Sequence, residues 1–134
     1  MIGIVVVTHG NLAEELISAV NFVLAGEPQV KMQGISLNPD KAFETFTESI
    51  KSAVVNVDSG EGILLVTDMF GGTPSNISLT FLEEDKLEVI SGVNLPMLLK
   101  LATIKEGVTL KEAVKIAEKA GKDNIIIASK LLNK

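Results

Sequence analysis

The chain opens on Ile2-Gly3-Ile4-Val5-Val6-Val7, a β-branched run with no polar alternation. A strand with one wet face alternates apolar and polar residues, so an unbroken run reads as a strand covered on both faces, as in a parallel sheet flanked by helices. A helix should follow at once. Asn11 is a suitable N-cap with Glu14 three residues on, and Leu12, Leu16, Ile17, Val20 and Val23 then recur at helical spacing up to Gly26. Val30 to Leu37 gives a second, weaker strand, and Asn38-Pro39 reads as a cap with proline at the first helical position, opening a helix along Ala42, Phe43, Phe46, Ile50 and Val54. Gly62 to Thr67 is a third buried strand. Asp68-Met69-Phe70-Gly71-Gly72 is a glycine-rich loop, and Thr73-Pro74 caps a short helix running to about Leu82. Leu87 to Ser91 is a fourth strand and Asn94 to Thr103 a helix. Thr109 and Glu112 form a capping box for a helix ending at Gly121, and Ile125 to Ala128 reads as a short last strand of undetermined direction. This alternation predicts an α/β fold, an open and mainly parallel sheet with helices on both faces, without linker, repeat or low-complexity tract.

Composition narrows the function. With 134 residues and no cysteine, the chain is expected to form one domain, residues 1–134, in a reducing compartment. Its longest apolar stretches, Met1 to Val7 and Gly62 to Val66, fall far short of the ~20 residues that cross a bilayer, so the expected location is cytoplasmic. All 12 basic residues are lysines, the net charge is -5, and there is no Trp or Tyr, which argues against nucleic-acid binding. Residues 1–99 hold 4 Lys against 13 acids and residues 100–134 hold 8 against 4. Much of that basic tail is Lys111, Lys115 and Lys119, a stripe expected to be a solvated helix face. One histidine without cysteine cannot build the usual zinc site, and there is no G-x-x-x-x-G-K-[ST] nucleotide cradle, so neither metal nor cofactor is expected.

Ligands of open α/β sheets bind beyond the carboxyl ends of the strands, where the connections diverge to opposite faces. With strands in the order 2-1-3-4, that point lies between the first and third, beside Thr8-His9-Gly10 and Asp68 to Pro74. His9 is the one side chain whose ordinary titration range lies near neutrality, so it can act as nucleophile or base. Asp68 can accept the Nδ1 proton and leave the lone pair on Nε2; the alternative is an Asx turn. Gly71-Gly72-Thr73 leads into a helix N-terminus, whose free amides suit an anion such as a phosphoryl group. Thr73 either caps its own helix or donates to that group.

These residues fall into three segments: Val6-Val7-Thr8-His9-Gly10, Thr67-Asp68-Met69-Phe70-Gly71-Gly72-Thr73-Pro74-Ser75-Asn76 and Ile90-Ser91-Gly92-Val93-Asn94-Leu95-Pro96-Met97. Together they resemble the enzyme IIA component of the mannose-type (mannose, fructose, sorbose) phosphoenolpyruvate-dependent sugar phosphotransferase system, over essentially the whole chain. The resemblance implies that His9 takes a phosphoryl group on Nε2 from the phosphorylated histidine-containing phosphocarrier protein and passes it to a histidine of a IIB component, with membrane IIC and IID components involved only indirectly. It implies that Asp68 orients His9, that Thr73 and nearby amides (Gly10, Gly71, Gly72) hold the phosphoryl group, and that Phe70 lies on the docking face. It also implies a homodimer in which the C-terminal strand, Ile125 to Ala128, crosses to the partner's sheet. Phe70 stands where tryptophan is common in the family, and the chain ends soon after its last strand, from which a separate IIB polypeptide is expected.

A relay must release each partner, so a small contact face is expected, with Leu12, Met69 and Phe70 as its apolar part unless Leu12 is core. The alternative function is a regulatory module of the same fold whose phosphorylation state acts on a transcription factor or kinase. Both readings use His9, and neither names a sugar.

Overall fold

The computed structural model describes residues 1–134. Four strands, β1 (Gly3–His9), β2 (Met32–Leu37), β3 (Ile63–Thr67) and β4 (Leu87–Ser91), form one sheet in the order β2-β1-β3-β4. Every neighbouring pair is parallel, with β1 in register from Ile4–Met32 to His9–Leu37 on one side and from Gly3–Ile63 to Val7–Thr67 on the other. The helices are α1 (Leu12–Leu24), α2 (Phe43–Val57), α3 (Thr73–Leu79), α4 (Leu95–Ala102), α5 (Leu110–Asp123) and a single turn, α6 (Ala128–Leu131).

The unbroken apolar runs have the predicted cause. Along β1, Ile4 and Val6 belong to a core with Val20 of α1, Leu98 and Leu101 of α4 and Ala113 and Ala117 of α5. Val5 and Val7, on the opposite face, belong to a second core with Phe46, Ile50 and Ala53 of α2 and Ile77 of α3. All four β1 residues are fully buried. Each such side chain contributes roughly 1.5–3 kcal/mol of transfer free energy, so the central strand anchors both layers.

Several local expectations are corrected. Asn11 is the N-cap of α1, but its side chain makes no capping bond; Thr8 Oγ1, buried, accepts from Ala13 N at 2.8 Å instead. Asn38-Pro39 opens a turn rather than a helix. Asn38 Oδ1 accepts from Asp40 N at 3.0 Å, an Asx turn that competes with helix formation, and α2 begins only at Phe43. Gly72, not Thr73, is the N-cap of α3, which stops at Leu79 rather than near Leu82. Thr109 caps α5 as expected, with Oγ1 accepting from Glu112 N at 3.2 Å, but the return bond of a capping box, from Thr109 N to the Glu112 side chain, is not made, and α5 continues through Gly121. That glycine sits against α4, where a Cβ would lie 2.9 Å from Met97 Cε, so it serves helix packing rather than termination. Lys111, Lys115 and Lys119 face solvent as expected.

The fifth strand is absent from the sheet. Ile125, Ile126 and Ile127 run without regular structure into α6 and are 75%, 55% and 56% exposed. Strand propensity is realised only where a neighbouring strand supplies hydrogen bonds, and this segment, separated from α5 by Asn124 alone, meets none within its own chain.

Candidate functional site

The connections diverge where the strand order predicts. From β1 the chain passes to α1, on the face shared with α4 and α5; from the adjacent β3 it passes to α3, on the face shared with α2. His9 ends β1 and Asp68 directly follows β3, so the two strands deliver both side chains to one crevice. The His9 ring is 49% exposed and the Asp68 side chain 13%. Asp68 Oδ2 lies 2.7 Å from His9 Nδ1 and also accepts His9 N at 3.0 Å, while Oδ1 accepts Met69 N at 3.0 Å. An ionised carboxylate only accepts, so the proton resides on Nδ1 and Nε2 carries the lone pair. The carboxylate is thereby fixed by two backbone amides, and the ring is fixed by the carboxylate.

Burial by itself pushes the Asp68 carboxyl up. The ring hydrogen bond from His9, the His9 N–H, the charge of His9 and the Met69 N–H together more than reverse it, leaving the group below its ordinary value of 3.8. A carboxyl lowered in the folded state contributes stability that is present in full above 3.8 and is lost as pH falls through the lower folded value. The carbon-13 shift of the Asp68 carboxyl, followed in the native protein, is expected to titrate below 3.8. A higher midpoint would mean that burial dominates.

The glycine-rich loop closes over the ring. A Cβ on Gly72 would lie 2.8 Å from His9 Cε1 and 3.3 Å from Nε2, so this position excludes any side chain. Gly72→Ala is therefore expected to displace the imidazole and weaken or break its bond to Asp68. The check is the downfield Nδ1 proton resonance, which should move or vanish while the far-ultraviolet circular dichroism is unchanged. Gly71, with φ +93°, gives the loop the left-handed turn that precedes α3. Thr73, at the first position of α3, is exposed and free of any cap bond, and the amides of that first turn have no partner within the helix. Gly10 lines the crevice beside His9, but its N–H differs from expectation: it donates to Leu37 O at 2.9 Å and so is not free for an anion. Leu12, Met69 and Phe70 are 45%, 54% and 75% exposed, and Leu12 is therefore surface rather than core.

The sequence reading missed the part played by five residues. Thr8 ties the end of β1 to α1 and so sets the position of His9 from below. Thr67 Oγ1 and Ser91 Oγ, 2.6 Å apart, link the ends of β3 and β4 beside Asp68. Lys41 and Phe43, beyond β2, line a cleft that reaches His9. The order 2-1-3-4 already placed the β2 end next to β1 and could have pointed to them. No cluster of three or more His, Cys, Asp or Glu side chains converges in the chain. No helix is long and apolar enough to cross a membrane.

The fold and the crevice define a class: a doubly wound parallel α/β domain presenting a carboxylate-oriented imidazole at its switch point. Residues 3–118 match the family described as "PTS system fructose IIA component" (EIIA-man), and the chain belongs to that family of mannose-type phosphotransferase-system EIIA components. Among curated relatives, the chain is 31% identical over 126 residues to the mannose-specific EIIAB component of Escherichia coli (strain K12), covering 92% of this chain and 38% of that protein. It is 24% identical over 135 residues to the fructose-specific EIIA component of Bacillus subtilis (strain 168), covering 100% and 91%. The crystal structure of the phosphotransferase system component EIIA from Streptococcus agalactiae superposes with a TM-score of 0.82 at 26% identity, covering 97% and 99%. The chain thus spans well under half the length of the EIIAB relative and nearly all of the two EIIA proteins.

Proposed function

We propose that residues 1–134 act as one cytoplasmic phosphocarrier domain, in which His9 Nε2 holds a phosphoryl group in transit. The donor is the phosphorylated histidine-containing phosphocarrier protein and the acceptor a histidine of a IIB component, which feeds sugar uptake through membrane components that this chain does not touch. The observation that carries this reading is the 2.7 Å bond between His9 Nδ1 and Asp68 Oδ2, which leaves Nε2 as the nucleophile on a half-exposed ring. In the forward step, the Nε2 lone pair forms the new N–P bond as the donor's N–P bond breaks, and the donor nitrogen keeps the electron pair. The His9 ring becomes cationic, and the Asp68 carboxylate beside Nδ1 offsets that charge. The amides of Gly71, Gly72 and Thr73 and the Thr73 hydroxyl face the developing charge of the phosphoryl oxygens. The second step repeats the first in reverse on the acceptor's histidine. Leu12, Met69 and Phe70 form the apolar part of the docking face, at the scale of transient encounters.

Incubation with phosphoenolpyruvate, enzyme I and the phosphocarrier protein tests this reading. The expected product is an acid-labile gain of one HPO3 group mapped to His9; label elsewhere, or none, refutes it.

The chain is also proposed to form a homodimer, in which the exposed Ile125, Ile126 and Ile127 find in a partner's sheet the strand neighbour that their own chain lacks. Sedimentation should give a dimer, and deletion of residues 125–134 a monomer.

A further inference from the structure

A phosphoryl group on His9 would be a dianion beside the Asp68 carboxylate, in a chain without arginine. The four loops that follow the strands, residues 10–11, 38–42, 68–72 and 92–94, contain one cation between them, Lys41. The other charges near those ends are acidic: Asp40 and Asp68 in the loops, and Glu14, Glu15 and Glu44 in the first turns of α1 and α2. Lys41 is not simply on the same side of the molecule. It lines a cleft of about 430 Å³ together with His9, Gly10, Thr73, Pro39 and Phe43, so the phosphoryl-accepting ring and the lysine share one concavity. The side chain is also uncommitted, since it is exposed and takes part in none of the chain's ion pairs. A lysine ammonium is a compact charge on a flexible four-carbon stem, suited to closing on a transient anion and releasing it.

We propose that Lys41 is a phosphoryl-binding residue of the His9 site, its ammonium reaching across the shared cleft to the phosphoryl oxygens. The inference rests on the relay reading above and extends it with a residue on β2's side of the crevice. Opposite charge near the reacting phosphorus favours the dianion and the transition state leading to it, and salt weakens the effect because the cleft is open.

Two phosphoryl donors separate a contact with the phosphoryl group from a contact with a protein. In the first arm the donor is phosphoramidate: its N–P bond breaks, ammonia leaves with the electron pair and takes up a proton, and Nε2 forms the new bond. In the second arm the donor is the phosphohistidine protein. The rate of HPO3 gain at His9 is followed by mass spectrometry for wild type, Lys41→Met, Lys41→Arg and Lys119→Met, a surface change on α5 that controls for net charge. Lys41→Met is expected to be about five- to tenfold slower with both donors at low salt, with the deficit shrinking at high salt. Lys41→Arg should keep most of the rate, and Lys119→Met all of it. Equal rates for Lys41→Met and wild type overturn the proposal while leaving the relay standing. So does a deficit confined to the protein donor, which would make Lys41 a docking residue, or an equal deficit in Lys119→Met. A wild type that phosphoramidate cannot label overturns the proposal as well, since a pocket built for the phosphoryl group must accept it without a partner. A wild type labelled at His9 by neither donor removes the relay reading and this one with it.

Discussion

His9→Ala is expected to take up no phosphoryl group from the phosphocarrier protein, at any enzyme concentration or incubation time, and to fold as the wild type does. The loss is complete rather than partial because the chain has one histidine and no cysteine, so no second nitrogen or sulfur nucleophile near neutrality can substitute. The adjacent Thr8 hydroxyl offers no bypass, since it is buried and already accepts from Ala13 N. The fold survives because the ring is half exposed and belongs to neither core. Its removal also leaves Asp68 with both backbone amides, so the stability change is expected to stay within about 1 kcal/mol. Intact-mass spectrometry and thermal unfolding, run on the same sample, check the two halves. An acid-labile adduct on the alanine variant would show that the nucleophile lies elsewhere.

Asp68→Asn is expected to have the second largest effect, a slowing of transfer by about 10²–10⁴-fold, the range associated with losing the carboxylate that orients and neutralises a catalytic imidazole. Both functions of the carboxylate fail together. An amide cannot accept at both of its atoms, so one of the present acceptor positions, which serve His9 Nδ1, His9 N and Met69 N, becomes a donor. Nor can an amide offset the positive charge that the ring acquires with the phosphoryl group. Asp68→Ala removes the oxygens altogether and leaves both amides to solvent, so it frees the loop as well as removing the charge, and asparagine is the cleaner probe. Single-turnover phosphorylation rates for the two variants, measured beside the wild type, test the assignment. A variant transferring within a few-fold of wild type would leave the carboxylate a purely structural role in its loop.

The path from residues to this site was legible where side-chain burial is periodic. The apolar runs of β1 and β3, Ile2 to Val7 and Gly62 to Val66, show no alternation and so read as strands covered on both faces, and the switch-point rule then points to His9 and Asp68. Capping was less legible. At Asn11, Asn38 and Thr73 a residue of the right type stands near a helix start, yet the bond is made by Thr8 at the first, goes to an Asx turn at the second and is absent at the third. Short polar side chains form several local hydrogen bonds of similar strength, and packing rather than residue type chooses among them. Gly121 misled for a related reason: a glycine near a helix end serves as a terminator or as a contact for another helix, and only the neighbouring Met97 decides.

By itself the sequence determined the strand–helix alternation, the two-sided burial of the central strands and the pair of residues most able to do chemistry, because each depends on spacing along the chain. The tertiary structure alone decided which amides remain free around His9, that the Gly10 amide is bonded to Leu37, that Lys41 and Phe43 share the crevice, and that Ile125–Ile127 lie unpaired. Those outcomes are set by what approaches from distant parts of the chain, and hydrogen bonds and strand pairing exist only once the partner has arrived.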